Sequence, residues 1–104
     1  MVYEINQSTE SIRDFFGVLD YMTENLFNPQ AARKFNNELE SCYNRLRKYP
    51  LMYPLCPNEA LAARGFRCAQ VMRYMVFYTV NEEECIVWIH RILHITMDYA
   101  QQEI

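Results

Sequence analysis

The sequence predicts an α+β fold in which an antiparallel four-stranded sheet packs against a two-helix hairpin, in the order β-α-α-β-β-β. Three observations support this prediction. Apolar residues recur at helical spacing in the first half of the chain, three prolines follow between residues 50 and 57, and the second half changes to strand-like spacing. Helices followed by strands are typical of α+β proteins. The 104 residues, half of them hydrophobic, are expected to form one domain over residues 1–104.

The first strand and helix follow directly from the N-terminal pattern. Residues 2–6 alternate weakly between apolar and polar side chains and predict a short strand. Ser8 then has the side chain of a helix N-cap. Gly17 lies inside the predicted helix and costs about 1 kcal/mol relative to Ala, so the helix depends on tertiary packing. We interpret its apolar stripe as core, and the stripe consists of Ile12, Phe15, Phe16, Leu19, Met22 and Leu26.

A second helix is marked at both ends. Asn28 is a suitable cap and Pro29 fits the first helical position, where its missing N–H costs nothing. Pro50 ends the helix, and the short connection to the first helix predicts a helical hairpin. Its apolar seam is also interpreted as core, and it consists of Ala32, Phe35, Leu39, Cys42, Leu46 and Tyr49.

The pattern in the second half of the chain predicts a loop followed by strands. Residues 51–58 form the loop. Three strands are predicted over residues 64–71, 73–80 and 85–93. A polar hairpin turn at residues 81–84 joins the last two, and the last strand is apolar on both faces, as expected for an interior strand. Residues 96–103 form a short tail that has room for a terminal helical turn.

Charge and cysteine content limit the function classes. The net charge of −3 argues against a nucleic-acid binder that uses its whole surface, although residues 60–81 hold three arginines and no acid. The four cysteines form no C-x-x-C pair, so we expect free thiols and a cytoplasmic protein. The two histidines, His90 and His94, have no cysteine at metal-ligand spacing, so no metal is expected. No apolar run is long enough for a membrane span.

Arginines interrupt the predicted strands at Arg64, Arg67, Arg73 and Arg91. Because alternate strand residues share a face, Ile89, Arg91 and Leu93 are expected opposite His90 and His94. If the helices cover one face of the sheet, the other face would collect Arg and Tyr side chains. Such a surface can hold phosphates and stack bases.

Each of these residues also has a structural interpretation. Arg64, Arg67 and Arg73 suit solvated strand edges that discourage aggregation. Arg91 lies among apolar residues and is expected to have a specific partner, which an internal carboxylate such as Asp98 would satisfy. His94 suits a packed, hydrogen-bonded ring, and Tyr99 suits an anchor for the tail.

A series of short motifs resembles the RelE/ParE toxin superfamily along nearly the whole chain. The motifs are Asn28-Pro29 with Ala31-Ala32, Arg64-Gly65-Phe66-Arg67, Arg73-Tyr74 with Val76-Phe77-Tyr78 and Val80, Arg91-Ile92-Leu93-His94, and Asp98-Tyr99. The resemblance implies a sheet packed against two helices. It also implies the toxin of a bacterial type II toxin–antitoxin module, which inhibits growth, takes part in plasmid stabilisation and is neutralised by an antitoxin.

Two activities occur in this superfamily. RelE-like toxins cleave mRNA on the ribosome, whereas ParE-like toxins act on DNA gyrase. By resemblance, a ribonuclease would use Arg67, Arg91, His94 and Tyr99, with Arg64 and Arg73 on the binding surface.

The RelE-type cation set is incomplete in this chain. Ala69 and Met75 stand where RelE-like toxins carry further cations, which argues against ribonuclease activity. The Arg64-Gly65-Phe66-Arg67 and Arg91-Ile92-Leu93-His94 motifs also match the ParE-like subgroup better, which favours the ParE-like action on DNA gyrase. A ribosome-dependent mRNA endonuclease and a non-toxic binding scaffold of the same fold are the alternatives. No cofactor is implied.

Overall fold

A computed structural model describes residues 2–104, apart from the side chain of Ala100, so the first residue of the predicted domain lies outside the described residues. The elements are β1 (Glu4–Gln7), α1 (Thr9–Asp20) continued by a π-helical turn (Tyr21–Asn25), α2 (Pro29–Lys48), α3 (Glu59–Ala63), β2 (Arg67–Val71), β3 (Tyr74–Asn81), β4 (Ile86–His94) and a 3₁₀ turn (Tyr99–Gln101). The predicted order and the C-terminal helical turn are confirmed. The short helix α3 was not predicted.

The sheet is mixed, so the prediction of an antiparallel sheet is wrong. The strand order is β1-β4-β3-β2, in which β2, β3 and β4 are antiparallel neighbours and β1 lies parallel to β4. No tight turn joins β1 to β4, because all the helices and two strands intervene between them. A connection of that length imposes no antiparallel pairing.

The helix starts follow the predicted caps, whereas the helix packing is only partly as predicted. Ser8 Oγ accepts a hydrogen bond from the Ser11 N–H (3.0 Å), and Asn28 Oδ1 accepts one from the Ala31 N–H (3.1 Å) with Pro29 in the first turn. The expected hairpin of two mutually packed helices is incomplete, because α1 packs chiefly on β4.

A first apolar cluster, the helix-side core, fills the space between the helices and one face of the sheet. The predicted seam of α2 supplies much of it, although Tyr49 at the end of that seam is 65% exposed. Of the predicted α1 stripe, Met22 is fully buried as expected for a core residue, whereas Phe15 and Leu19 are half-buried. Three stripe residues are exposed instead, namely Ile12, Phe16 and Leu26.

A second apolar cluster lies on the opposite face of the sheet. It consists of Cys56, Leu61, Phe66, Cys68, Phe77 and Leu93. The segment containing α3 and the C-terminal tail cover this face, and Tyr99 packs edge-on against Phe77 with ring centroids 4.8 Å apart. The expectation of an open face rich in Arg and Tyr is therefore wrong.

The prediction that all four cysteines are free thiols is also wrong. Cys56 and Cys68 form a disulfide with an S–S distance of 2.13 Å and Cα atoms 5.2 Å apart. The two residues are 12 positions apart, a spacing with no motif, and only the fold of the intervening loop brings them together. Within residues 2–104, no helix is both long and apolar enough to cross a membrane.

A β-bulge at His90 changes the alternation of side chains along β4. Tyr78 pairs with Ile89 and Phe77 with Arg91, which leaves His90 as the extra residue. Beyond the bulge the faces exchange. Ile89 belongs to the helix-side core and Leu93 to the second cluster, so the prediction that these two residues share a face is wrong.

Candidate functional site

The C-terminal half of β4 extends beyond its neighbour β1. β1 ends at Gln7, opposite Ile89, and α1 takes the place of a strand along the rest of the edge. The Ser8 hydroxyl donates a hydrogen bond to the His90 carbonyl oxygen (2.7 Å), and the Asp14 carboxylate accepts one from the Ile92 N–H (3.0 Å). Because these polar groups already have partners, the edge is better suited to contacting side chains than to pairing with an added strand.

A groove of about 650 Å³ runs between α1 and this end of β4. On the helix side it is lined by Arg13, Gly17 and Tyr21, which are four residues apart and therefore share one face. Its floor includes Val18 and Ile92, both buried. A Cβ atom added at Gly17 would meet nothing within 4 Å, so the groove is open at that point.

The rim of the groove is apolar at two points and cationic at a third. Tyr21 is 48% exposed and Met97 40% exposed, which is a large exposure for apolar side chains. Arg13 is exposed as well, and no salt bridge is found for it within the described part of the chain. The groove thus combines an apolar floor, apolar walls and one available cation, a combination suited to an amphipathic protein segment.

Arg91 also lines the groove, but its guanidinium is engaged by the fold. Its Nε donates to Asp14 Oδ2 (2.7 Å), one terminal nitrogen donates to Asp14 Oδ1 (3.1 Å), and the other donates to the Glu103 carbonyl oxygen (2.9 Å). The hydrogen bonds that Arg91 donates to the Asp14 carboxylate raise the pKa of Arg91, so it stays charged. The prediction named an internal carboxylate, with Asp98 as the example, and the carboxylate that pairs with Arg91 is that of Asp14 from α1. The pair anchors that helix to β4.

Arg67 lies on the other face of the sheet from Arg91. It pairs with Tyr78, which belongs to the helix-side core, whereas Arg91 pairs with Phe77 of the second cluster. One terminal nitrogen of Arg67 donates to the Tyr53 carbonyl oxygen (2.6 Å). The two arginines therefore cannot converge on one phosphate in this conformation.

His94 and Tyr99 both make the structural contacts considered in the sequence analysis, as a packed, hydrogen-bonded ring and as an anchor for the tail. His94 lines the groove, its Nδ1 accepts the Thr96 N–H (3.2 Å), and its ring lies edge-on to Tyr74 with centroids 5.2 Å apart. Tyr99 packs on Phe77, and desolvation raises the pKa of its hydroxyl. Neither contact excludes a further role for these residues, which stays a prediction.

Arg64 and Arg73, the predicted binding surface, lie at opposite ends of β2. Arg64 donates to the Ile104 main-chain oxygen (3.0 Å) and lies over the Phe66 ring, 4.8 Å from its centroid. Arg73 is exposed in the two-residue turn before β3, where its carbonyl oxygen accepts from the Ile95 N–H next to His94. Arg73 therefore lies near the end of the groove, whereas Arg64 is part of the cover over the second cluster.

Sequence reasoning missed the helix half of the site. Asp14 and Tyr21 belong to no recognisable sequence motif, and Asp14 is 77 residues from its partner Arg91. The one available signal was Gly17, which interrupts a helix without any turn to explain it. Within residues 2–104 no group of three or more His, Cys, Asp or Glu side chains is placed to hold a metal ion.

The family described as the ParE toxin of the type II toxin–antitoxin system parDE matches residues 2–99. This chain belongs to the ParE toxin family. The match covers every strand and α-helix described above and ends at the first residue of the 3₁₀ turn, and it confirms the resemblance noted in the sequence. The chain is therefore a toxin of the type II class. No curated protein matches it significantly.

Solved structures of related modules share the fold. A chain of the toxin–antitoxin complex RelBE2 from Mycobacterium tuberculosis matches with a TM-score of 0.64 and 20% identity, over 90% of this chain and 99% of that one. A chain of the chromosomal ParDE toxin–antitoxin system from P. aeruginosa matches with a TM-score of 0.69 and 16% identity, over 89% and 96%. At such low identity these similarities concern the fold alone.

Proposed function

We propose that this chain arrests bacterial growth by binding DNA gyrase in the cytoplasm, and that a cognate antitoxin neutralises it. Membership of the ParE toxin family supports the toxin class. One observation carries the choice of mechanism: Arg67 and Arg91, the two central cations of the candidate ribonuclease set, lie on opposite faces of the sheet. On this proposal, the module stabilises the plasmid or chromosomal region that encodes it.

RNA cleavage requires a convergent group of side chains. A base must reach the 2′-hydroxyl, cations must surround the developing phosphorane charge, and an acid must protonate the leaving oxygen. Arg67 is bonded to a loop carbonyl and Arg91 to Asp14, so neither guanidinium is available to a phosphate without breaking existing contacts. A toxin that acts by protein contact needs no such convergence, which favours gyrase over mRNA.

The groove between α1 and β4 is the proposed site for the antitoxin. Both structural relatives come from toxin–antitoxin systems, which supports a protein partner. An amphipathic helix could place apolar side chains on the floor at Val18 and Ile92, between Tyr21 and Met97, and an acidic side chain beside Arg13. This arrangement buries apolar surface that the chain alone leaves exposed.

Gly17 allows the groove to be blocked without disturbing the core. We expect Gly17→Trp to fill it and to weaken binding of the antitoxin encoded beside the toxin gene by roughly 100-fold, as for loss of a central interface contact. Asn37→Trp, on the exposed side of α2, is the matched control and should leave binding unchanged. Isothermal titration calorimetry measures both. Equal affinities for the two variants would place the antitoxin elsewhere.

Purified components test the target. The chain should inhibit supercoiling of relaxed plasmid by DNA gyrase and accumulate linear DNA, and equimolar antitoxin should reverse both effects. Unaffected gyrase together with cleavage of mRNA on translating ribosomes would support the RelE-like alternative. Absence of both activities would support the non-toxic scaffold.

A further inference from the structure

Two segments distant from the groove lie side by side and are linked by a disulfide. Residues 54–56 run antiparallel beside residues 66–68 at the outer edge of β2, where the Cys56 N–H donates to the Phe66 carbonyl oxygen (2.9 Å) and the Cys68 N–H to that of Pro54 (3.3 Å). The Cys56–Cys68 disulfide ties the same two segments together. We call this arrangement the clasp.

The loop closed by the clasp, residues 57–67, is the main cover of the second apolar cluster. It contains α3, a helix of five residues that is too short to be stable alone. Leu61 and Phe66 from the loop pack with Phe77 and Leu93 from the sheet. Within the described residues this cluster has six buried members, against sixteen in the helix-side core, so the loop has little apolar packing to hold it closed.

The two sulfur-bearing residues are themselves buried. Cys56 is 4% exposed and Cys68 9% exposed, so a dissolved thiol reaches the disulfide only when the loop opens. Once the bond is broken, the loop opens more often, because the cross-link no longer restricts it. Reduction and opening therefore reinforce each other.

We propose that Cys56 and Cys68 form a redox-operated clasp that controls opening of the loop over the second face of the sheet. In the reducing direction, the thiolate of a small dithiol attacks one sulfur and forms a mixed disulfide. Its second thiolate then attacks that bond, which releases a cyclic disulfide and leaves two cysteine thiols after uptake of two protons. Two electrons pass from the dithiol to the protein, and a small disulfide reverses the exchange.

Opening of the clasp changes the surroundings of two predicted functional residues. Arg64 lies on the loop, where it bonds to the Ile104 main-chain oxygen and covers the Phe66 ring. Arg67 lies at the clasp itself and donates to the Tyr53 carbonyl oxygen. The oxidised chain holds both cations in place, whereas the reduced chain releases them together with the apolar surface beneath the loop.

Hydrogen–deuterium exchange on the full chain, before and after treatment with dithiothreitol, tests the proposal. For a disulfide closing a loop of this length, the entropy of the cross-link predicts exchange on the order of 100-fold faster after reduction. The increase should be confined to the amides of the loop and clasp, including Cys56, Phe66 and Cys68. Amides between β1 and β4 should keep their rates, and so provide the internal control.

Two variants separate the clasp from other thiol chemistry. The double variant Cys56→Ser with Cys68→Ser should exchange like the reduced chain and no longer respond to dithiothreitol. Cys42→Ala removes a buried cysteine outside the disulfide and should respond as the unmodified chain does. If the double variant fails to fold, reduction of the unmodified chain still decides the question.

Three results would overturn the proposal. Unchanged loop exchange after reduction would mean that packing alone holds the loop. Faster exchange throughout the chain would mean that the disulfide staples the whole fold. Four titratable thiols after treatment with oxidised glutathione would mean that the clasp does not close.

Discussion

The two faces of the sheet are covered in different ways. On one face, α2 lays a regular apolar seam across the strands, and residues such as Phe35 and Leu46 are fully buried. On the other face, a one-turn helix, a disulfide and a C-terminal tail cover six buried residues. The first face is held by continuous packing, and the second by a few specific ties. The first face should therefore contribute most of the free energy of unfolding, and the cover of the second face should open more easily.

The largest expected effect is a core truncation on the helix side. Phe35→Ala should lower the free energy of unfolding by about 4 kcal/mol, because it leaves a large cavity among fully buried neighbours. Leu61→Ala in the loop should lower the free energy of unfolding by only about 2 kcal/mol, since the loop can relax into the space. Urea denaturation of both variants measures the difference. An equal or larger loss at Leu61 would contradict the contrast between the faces.

The next effect concerns the tie between α1 and β4. Asp14→Asn should cost about 2 kcal/mol, because it removes the charge that pairs with Arg91 when both side chains are less than one-fifth exposed. The loss should nearly vanish when Arg91 is replaced by Met beforehand. A double-mutant cycle by thermal unfolding tests this coupling, and additive losses would show that the pair is not what anchors the helix.

A pH effect distinguishes the second face from the first. Burial, assisted by the nearby Arg64, lowers the pKa of His90 from its ordinary value of 6.5, while Glu10 opposes the shift. The unfolded chain therefore takes up the proton first. The stability that neutral His90 contributes is fully present above pH 6.5 and is lost as the pH falls through the lowered pKa of the folded state.

His90→Gln is the variant that checks this linkage. Its side chain can still meet the Thr79 hydroxyl, which lies 2.9 Å from His90 Nε2, but it carries no titratable proton. Over the range in which histidine titrates, roughly pH 5 to pH 8, the stability curve should flatten in the variant. A slope identical to that of the unmodified chain would assign the acid sensitivity to other groups.

The smallest expected effect is a gain. Gly17→Ala should raise the free energy of unfolding by about 0.5–1 kcal/mol, because Ala restricts the unfolded chain and its methyl group meets no neighbour. Differential scanning calorimetry measures it. A loss of stability would contradict this prediction. It would show that the α1 backbone requires glycine at this position, and that glycine is not there merely to leave the groove open.

Local signals in the sequence predicted the local structure well. Ser8, Asn28 and Pro29 act within one helical turn of themselves, so their capping roles could be recognised without the fold. The same holds for the apolar seam of α2, because helical periodicity depends only on neighbouring residues. The toxin family could also be recognised, because its motifs are spread in order along the chain.

The features that could not be predicted depend on long-range contacts. The parallel pairing of β1 with β4 joins residues more than 80 positions apart, and the bulge at His90 depends on how β4 meets β3. The disulfide forms only because the folded loop brings Cys56 and Cys68 together. The hydrogen bonds of Arg67 depend on the loop, and those of Arg91 depend on the position of α1. The predicted catalytic set was separated for this reason, because a strand pattern does not reveal on which face each arginine ends.

Induced expression in growing bacteria tests the central claim most directly, because one culture reports on both targets. Double-strand breaks and the SOS response are measured beside primer extension on translated transcripts. We predict DNA breaks with intact mRNA, because Arg67 and Arg91 lie on opposite faces of the sheet. Cuts inside codons with undamaged DNA would contradict the proposed contact mechanism.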